Sequence, residues 1–283
     1  MNLQFALKRL SEGPVPIIAG GTDFYPALLD KPAPLELIDV TQFDELKNID
    51  KVDDGWRIGA GVTWSEIVRA ELPPAFAALK SAATEVGSIQ IQNRATVVGN
   101  ICNASPAADG VPPLLALNAS VELQNSSSTR VVPLPDFITG VRTTICHPDE
   151  LITAIRIPAV NPSERSVFTK LGARKYLVIS IAMLAVNIDF DESGRCSRCA
   201  IAVGSCSPVA KRLTELEQAL IGTSMEDASL AVEHVAKASL DELSPIDDVR
   251  GSAAYRMSVV RSVLQRAVNS VFKDCLTTKN TNA

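Results

Sequence analysis

The stretch IIAGGTDFYPALLD, residues 17–30, puts two glycines where a buried strand should end. Ile17 and Ile18 lead into Ala19-Gly20-Gly21. A hydroxyl (Thr22) and a carboxylate (Asp23) follow, and Phe24 to Leu29 can begin a helix. Glycine takes positive φ and lets another part of the molecule approach the backbone closely. The pattern therefore predicts either a tight turn or a loop whose N–H groups hold an anion. Capping of the next helix by Thr22 or Asp23 is the purely structural alternative. A second segment, ATVVGNICNASPAADG (95–110), reads in the same way: a short apolar strand running into Gly99-Asn100. Two such loops brought together can cradle a pyrophosphate without any positive side chain.

The rest of the chain narrows the setting. A formal net charge of −5 over 283 residues, with no basic stripe, argues against bulk nucleic-acid binding. With 46% hydrophobic and 21% charged residues the chain can bury a real core. No apolar run approaches the ~18 residues of a membrane span. The start MNLQFALKRLSEG lacks a signal-type apolar region. A cytoplasmic location is the expectation.

Apolar spacing predicts a helix over 2–11, ended by Pro14 and Pro16, and a second strand at 35–40. A hairpin turns at Asp53-Asp54-Gly55. Thr63 and Glu66 form a capping-box pattern that starts a helix, and another helix spans 74–86. Strands follow in SVELQN, TRVVPL and ELITAIRIP. The composition changes at 159–165, AVNPSER, which marks a boundary. Beyond it come strands at 166–171, 178–189 and 196–204, then helices over 208–221, 225–240 and 251–274. The fold class is therefore α+β. An N-terminal α/β domain (1–160) precedes a C-terminal three-stranded antiparallel sheet with helices packed on one face (161–276), and 277–283 form a disordered tail.

Familiar catalytic signatures are missing. Gly59-Ala60-Gly61 lacks the third glycine of a dinucleotide fingerprint, and there is no phosphate-loop lysine motif and no Gly-x-Ser-x-Gly elbow. The cysteines in CSRCAIAVGSC, Cys196, Cys199 and Cys206, are the only ligand-like cluster. Strand alternation puts Cys196 and Cys199 on opposite faces, so no metal site is expected. His147 and His234 lie far apart in sequence without ligand-like neighbours.

IIAGGTDFYP, QIQNRATVVGNICNASPAADGVPPLLAL, ELITAIRIP and SVFTKLGARKYLVISIA occur in this order at sensible spacing. Together they resemble the FAD-binding medium subunit of molybdenum hydroxylases, the xanthine dehydrogenase and carbon monoxide dehydrogenase flavoprotein group. The resemblance covers nearly the whole chain and implies a PCMH-type FAD-binding domain.

It also implies roles. Ile17, Ile18, Ala19, Gly20, Gly21, Thr22, Asp23 and Phe24 would form the first flavin loop, with Thr22 adding a hydroxyl donor. Thr96, Val97, Val98, Gly99 and Asn100 would form the second, with Thr96 and Asn100 on phosphate. Asp109 would accept hydrogen bonds from ribitol or ribose hydroxyls, against the alternative of a helix N-cap. Ile152 would meet a ring edge through its backbone. Lys170 would lie near the pyrimidine end of the ring and favour the anionic reduced flavin, against the alternative of a solvated strand lysine. Val86 aligns with a ring-packing position. Arg94 would face a partner or solvent, and Tyr176 would pack near the flavin or at the domain boundary.

By the same resemblance the chain would take electrons from a [2Fe–2S] small subunit and pass them through FAD to NAD⁺, quinone or oxygen. The molybdenum cofactor and the [2Fe–2S] clusters would reside on partner subunits, in a dimer of heterotrimers. The chain itself would bind no metal, supply no acid or base, and perform no hydroxylation alone. Two rival readings remain. A standalone flavin-dependent oxidoreductase would reduce its flavin with a simple substrate and no partners. A flavin-free scaffold subunit would be colourless and reject added FAD.

Overall fold

The computed structural model describes residues 2–281. The chain forms two compact units. The first takes the chain through Ala70 together with Val86–Ser105 and Asn118–Ala159; the second takes Glu71–Glu85, Pro106–Leu117 and the chain from Val160 onward. Two segments of the expected first domain thus lie in the second unit.

In the first unit, Ile17–Ile18 pairs in parallel with Ile38–Asp39. The hairpin Ile49–Val52 and Gly55–Gly59 opens a five-stranded antiparallel sheet, continued by Leu151–Pro158, Ser120–Gln124 and Thr129–Pro133. Leu151–Pro158 is central, and its first five residues are all buried, as a strand covered on both faces requires. Thr63 starts the helix Trp64–Arg69 with the expected capping box. Its hydroxyl accepts the Glu66 N–H at 3.3 Å, and the Glu66 carboxylate accepts the Thr63 N–H at 2.7 Å.

The second unit is built on an antiparallel sheet ordered Arg165–Leu171, Ala182–Phe190, Cys196–Gly204, Lys211–Arg212. The last is a short edge strand beyond the three expected. Alternation along the central strand separates two cores. Leu184, Val186, Ile188 and Phe190 pack with the helices Thr214–Leu220, Ala228–Lys237 and Ala253–Thr281. The last of these contributes Val260, Val263, Leu264, Ala267, Val268, Val271 and Phe272, one stripe at helical spacing. Met183 and Ala185 face the other way, onto Ala78, Ala82 and Ala116. Those alanines belong to the helices Ala77–Glu85 and Val111–Ala116. Their small side chains let the helices lie close on the sheet, so both faces are covered. Ala253–Thr281 also carries helix into the expected disordered tail, and residues 282–283 fall outside the described residues.

The cysteine reading needs correction. Asp189 pairs with Arg198 but Phe190 pairs with Cys196, so Ser197 is an extra residue in the ladder. This bulge shifts the alternation by one. Cys196 and Cys199 therefore share the buried face with Ile201 and Val203, and Cys196 Sγ donates to the Arg198 carbonyl at 3.5 Å. Among the described residues no group of three or more His, Cys, Asp or Glu side chains is placed to hold a metal ion. No helix among them is long and apolar enough to cross a membrane.

Candidate functional site

The first unit contains a cavity of about 510 Å³. Of the residues singled out in the sequence, Ile17 to Phe24, Thr96, Val98, Gly99, Asn100 and Ile152 all line it, and so does Val86. Val97 does not. It is fully buried, and its N–H donates to the Val62 carbonyl at 3.1 Å.

The first wall is the glycine loop. A Cβ on Gly20 would stand 2.0 Å from the Arg94 carbonyl oxygen and 2.8 Å from Ala95 Cα, so only glycine fits where the two chain segments touch. Gly21 has φ +72°, which disfavours a side chain, and a Cβ there would meet the Tyr25 ring at 2.7 Å. The geometry leaves the main chain open. Hydrogen bonding resumes with Tyr25 N–H to Gly21 O and Ala27 N–H to Asp23 O, both at 3.1 Å. The N–H groups of residues 19–24 have no acceptor among the described residues. Asp23 stands at the N-cap position of Phe24–Leu28 but makes no capping bond, so the structural alternative for this pair is not realised.

The second wall differs from expectation. Thr96 is the N-cap of a helix, Val97–Asn103, and its hydroxyl accepts the Gly99 N–H at 2.9 Å. The Asn100 N–H donates to the Thr96 carbonyl at 3.1 Å. The expected strand into a glycine loop is a capped helix, with Gly99 inside it rather than in a turn. The β-branched pair Val97-Val98 suggested a strand, but the cap at Thr96 decides the local structure.

Trp64 was not singled out by the sequence. It lines the cavity, its N–H donates to Ala95 O at 3.1 Å, and Thr63 bridges to Thr96. It therefore stands behind the place where the two walls meet. Its indole Nε1 is buried with no hydrogen-bond partner among the described residues.

The charges around the cavity do not favour an anion. Its charged lining residues are Asp23, Arg142 and Glu150. Arg142 donates to the Asn103 side chain. Glu150 receives Arg130 at 2.6 and 2.8 Å, which holds its carboxyl below the usual range. Cys102 is exposed, while partial burial pushes the Cys146 thiol up to about 11.

Asp109 and Lys170 belong to the second unit. Lys170 Nζ donates to Asp109 Oδ2 at 2.6 Å and to the Glu85 carbonyl at 3.2 Å, while Ser180 Oγ donates to Asp109 Oδ1 at 2.6 Å. The two side chains are 10% and 6% exposed, so Lys170 is not a solvated strand lysine. Gly110, not Asp109, is the N-cap of Val111–Ala116. Burial pushes the Asp109 carboxyl up despite the pull of Lys170 and Ser180. Both of its oxygens are already engaged. Arg94 and Tyr176 are exposed.

Residues 2–160 match the model of the FAD-binding domain in molybdopterin dehydrogenase, and residues 168–271 match the carbon monoxide dehydrogenase flavoprotein C-terminal domain. The 6-hydroxypseudooxynicotine dehydrogenase complex subunit alpha of Paenarthrobacter nicotinovorans is 31% identical over 275 residues, covering 94% of this chain and 90% of that protein. The nicotinate dehydrogenase FAD-subunit of Eubacterium barkeri is 30% identical over 273 residues, covering 92% and 89%. A solved carbon monoxide dehydrogenase from Hydrogenophaga pseudoflava, lacking the Mo-pyranopterin moiety of its cofactor, superposes with a TM-score of 0.83 at 26% identity, covering 97% and 96%. Fold and matches together define a flavin-binding oxidoreductase subunit with FAD as its cofactor. The chain belongs to the FAD-binding medium subunits of the molybdenum hydroxylase family, the group that includes the carbon monoxide and xanthine dehydrogenases.

Proposed function

We propose that the first-unit cavity seats the FAD, with its diphosphate on the N–H groups of residues 19–24. The observation that carries this reading is that row of unengaged amides, beside a contact with Arg94 and Ala95 that only glycine permits. The residues suit the cofactor. At about 510 Å³ the cavity falls within the ~300–1,000 Å³ usual for small-molecule sites. Val86 and Ile152 offer apolar surface to a ring system. With no surplus of positive side chains in the lining, main-chain dipoles must meet the diphosphate charge.

When bound, the flavin supplies the redox chemistry. The chain's own residues hold and orient it: the 19–24 amides and the Thr22 hydroxyl as donors, Thr96 and Asn100 on the opposite wall, Ile152 at a ring edge. Lys170 is assigned the tuning of the flavin potential, as the resemblance implies. Its link to Asp109 means that Asp109 acts first as the lysine's counter-ion, and any contact with cofactor hydroxyls competes with that link.

In the assembled enzyme, electrons arrive from a [2Fe–2S] small subunit, a molybdopterin large subunit performs the hydroxylation, and NAD⁺, quinone or oxygen is the acceptor. A dimer of cytoplasmic heterotrimers is the assembly this reading expects. The relatives support it: they include a subunit of a dehydrogenase complex and a subunit named for its FAD.

Gly21→Val tests the cavity. A branched side chain at φ +72° strains the loop, while the Tyr25 ring it meets can swing away. The expected result is loss of the flavin absorbance at about 450 nm with the fold retained by circular dichroism. Full flavin occupancy overturns the assignment. Co-purification from the host with mass spectrometry tests the partners.

A further inference from the structure

Among the described residues, one buried side-chain donor lining the cavity has no partner, and neither the loop pattern nor the resemblance assigns it. Trp64 is fully buried, and its indole nitrogen has no acceptor among the described residues. An indole N–H can only donate, and buried donors are as a rule satisfied. Leaving one unmade forfeits its hydration with nothing in return. The backbone N–H of Trp64 holds Ala95 at 3.1 Å, and the Ala95 Cα lies against Gly20. The residue thus sits where the open amides of the first loop meet the capped helix of the second wall, and it lines the cavity there.

We infer that the Trp64 indole N–H is a donor to the FAD diphosphate, a cofactor-positioning contact supplied from behind the glycine loop. This inference rests on the cavity being the FAD site. A diphosphate oxygen is the acceptor these surroundings select, because the free donors of residues 19–24 line the same cavity. The nitrogen is covered in the protein alone, so the contact forms with a small side-chain adjustment of the kind common on ligand binding. Trp64 then serves two purposes: its ring fills the core beneath the Thr63 cap, and its N–H joins the anion cradle.

The test uses ¹H–¹⁵N spectra of the full-length, flavin-containing protein before and after flavin removal. The chain has two tryptophans, Trp56 and Trp64, and Trp64→Phe assigns their indole signals. The expected result is a downfield indole proton for Trp64 with flavin bound, which moves upfield when flavin is removed. Gly21→Val should give the flavin-free position. Trp64→Phe, which keeps a ring but removes the donor, should weaken FAD binding about tenfold. A Trp64 indole signal indifferent to flavin overturns the inference even if the variant folds poorly, since a packing role alone predicts that indifference. If Gly21→Val abolishes flavin binding while the indole does not respond, the cavity reading stands and only this inference fails. If Gly21→Val keeps its flavin and the indole does not respond, both fail.

Discussion

Two polar regions of this chain use their hydrogen-bonding groups in opposite ways. The glycine loop leaves the N–H groups of residues 19–24, and the Thr22 and Asp23 side chains, without partners among the described residues. In the second unit, Asp248 accepts from Arg250 and Arg256, each at 2.6 Å. Arg256, 1% exposed, also donates through Nη1 to the carbonyls of Ile181 and Ser205, leaving only its Nε without a partner among the described residues. Asp109 likewise has both oxygens engaged. A folded chain satisfies its polar groups internally where they serve structure. It leaves a row of them open where a ligand completes them. Thr96 falls between the two: it lies on the cavity, yet its hydroxyl is committed to a helix cap.

Substitutions can break this contrast. Gly21→Val, with near-complete loss of FAD, is the largest effect expected on the open side. On the closed side, Asp248→Ala strands the buried Arg256 without its anion, and removing one partner of a buried pair costs about 3 kcal/mol or more. Chemical denaturation should show that loss. The Arg250 hydrogen bonds, with Arg256 adding attraction, hold the Asp248 carboxyl down at about 2. A depressed carboxyl stabilises the fold fully above its ordinary value of about 4. That contribution is lost as pH falls through about 2. The acid limb of the wild-type stability curve should therefore flatten in Asp248→Ala. An unchanged limb would assign the acid sensitivity to other carboxylates. Thr96→Ala comes next: losing the cap should cost about 1 kcal/mol of stability, with Thr96→Ser restoring it. A larger loss of FAD than of stability would move Thr96 to the open side of the comparison.

The loop was legible because its signal is local. Ile-Ile-Ala-Gly-Gly-Thr-Asp announces a strand end and a close approach within seven consecutive residues, and the structure puts Gly20 hard against Arg94. What escaped the reading depends on distant chain. Val97-Val98 looks like strand until Thr96 is seen to cap it. Asp109 and Lys170 are 61 residues apart, and no spacing rule pairs them. Cys196 and Cys199 changed faces through one bulged residue, Ser197, which neither strand announces. The alanine faces of 77–85 and 111–116 could have covered either unit's sheet, because small apolar residues carry little information about their partner. Trp64 reads as ordinary core, and it is. That its nitrogen lacks an acceptor is a fact about every neighbour at once.

The smallest effect is also the sharpest probe of the contrast. Thr22 lines the cavity, and its hydroxyl has no partner among the described residues. Thr22→Val keeps the shape and removes only the donor. If open polar groups mark the ligand, the folded protein loses nothing: stability should stay within about 0.5 kcal/mol, as for surface substitutions away from structural features. FAD affinity should fall about three- to tenfold, the range for one hydrogen bond. Titration calorimetry alongside thermal melts separates the two quantities. Thr22→Ser, which keeps the hydroxyl, should bind FAD as wild type does. A Thr22→Val protein that melts early yet binds FAD normally would reverse the assignment, making the hydroxyl a structural group and removing one donor from the cradle.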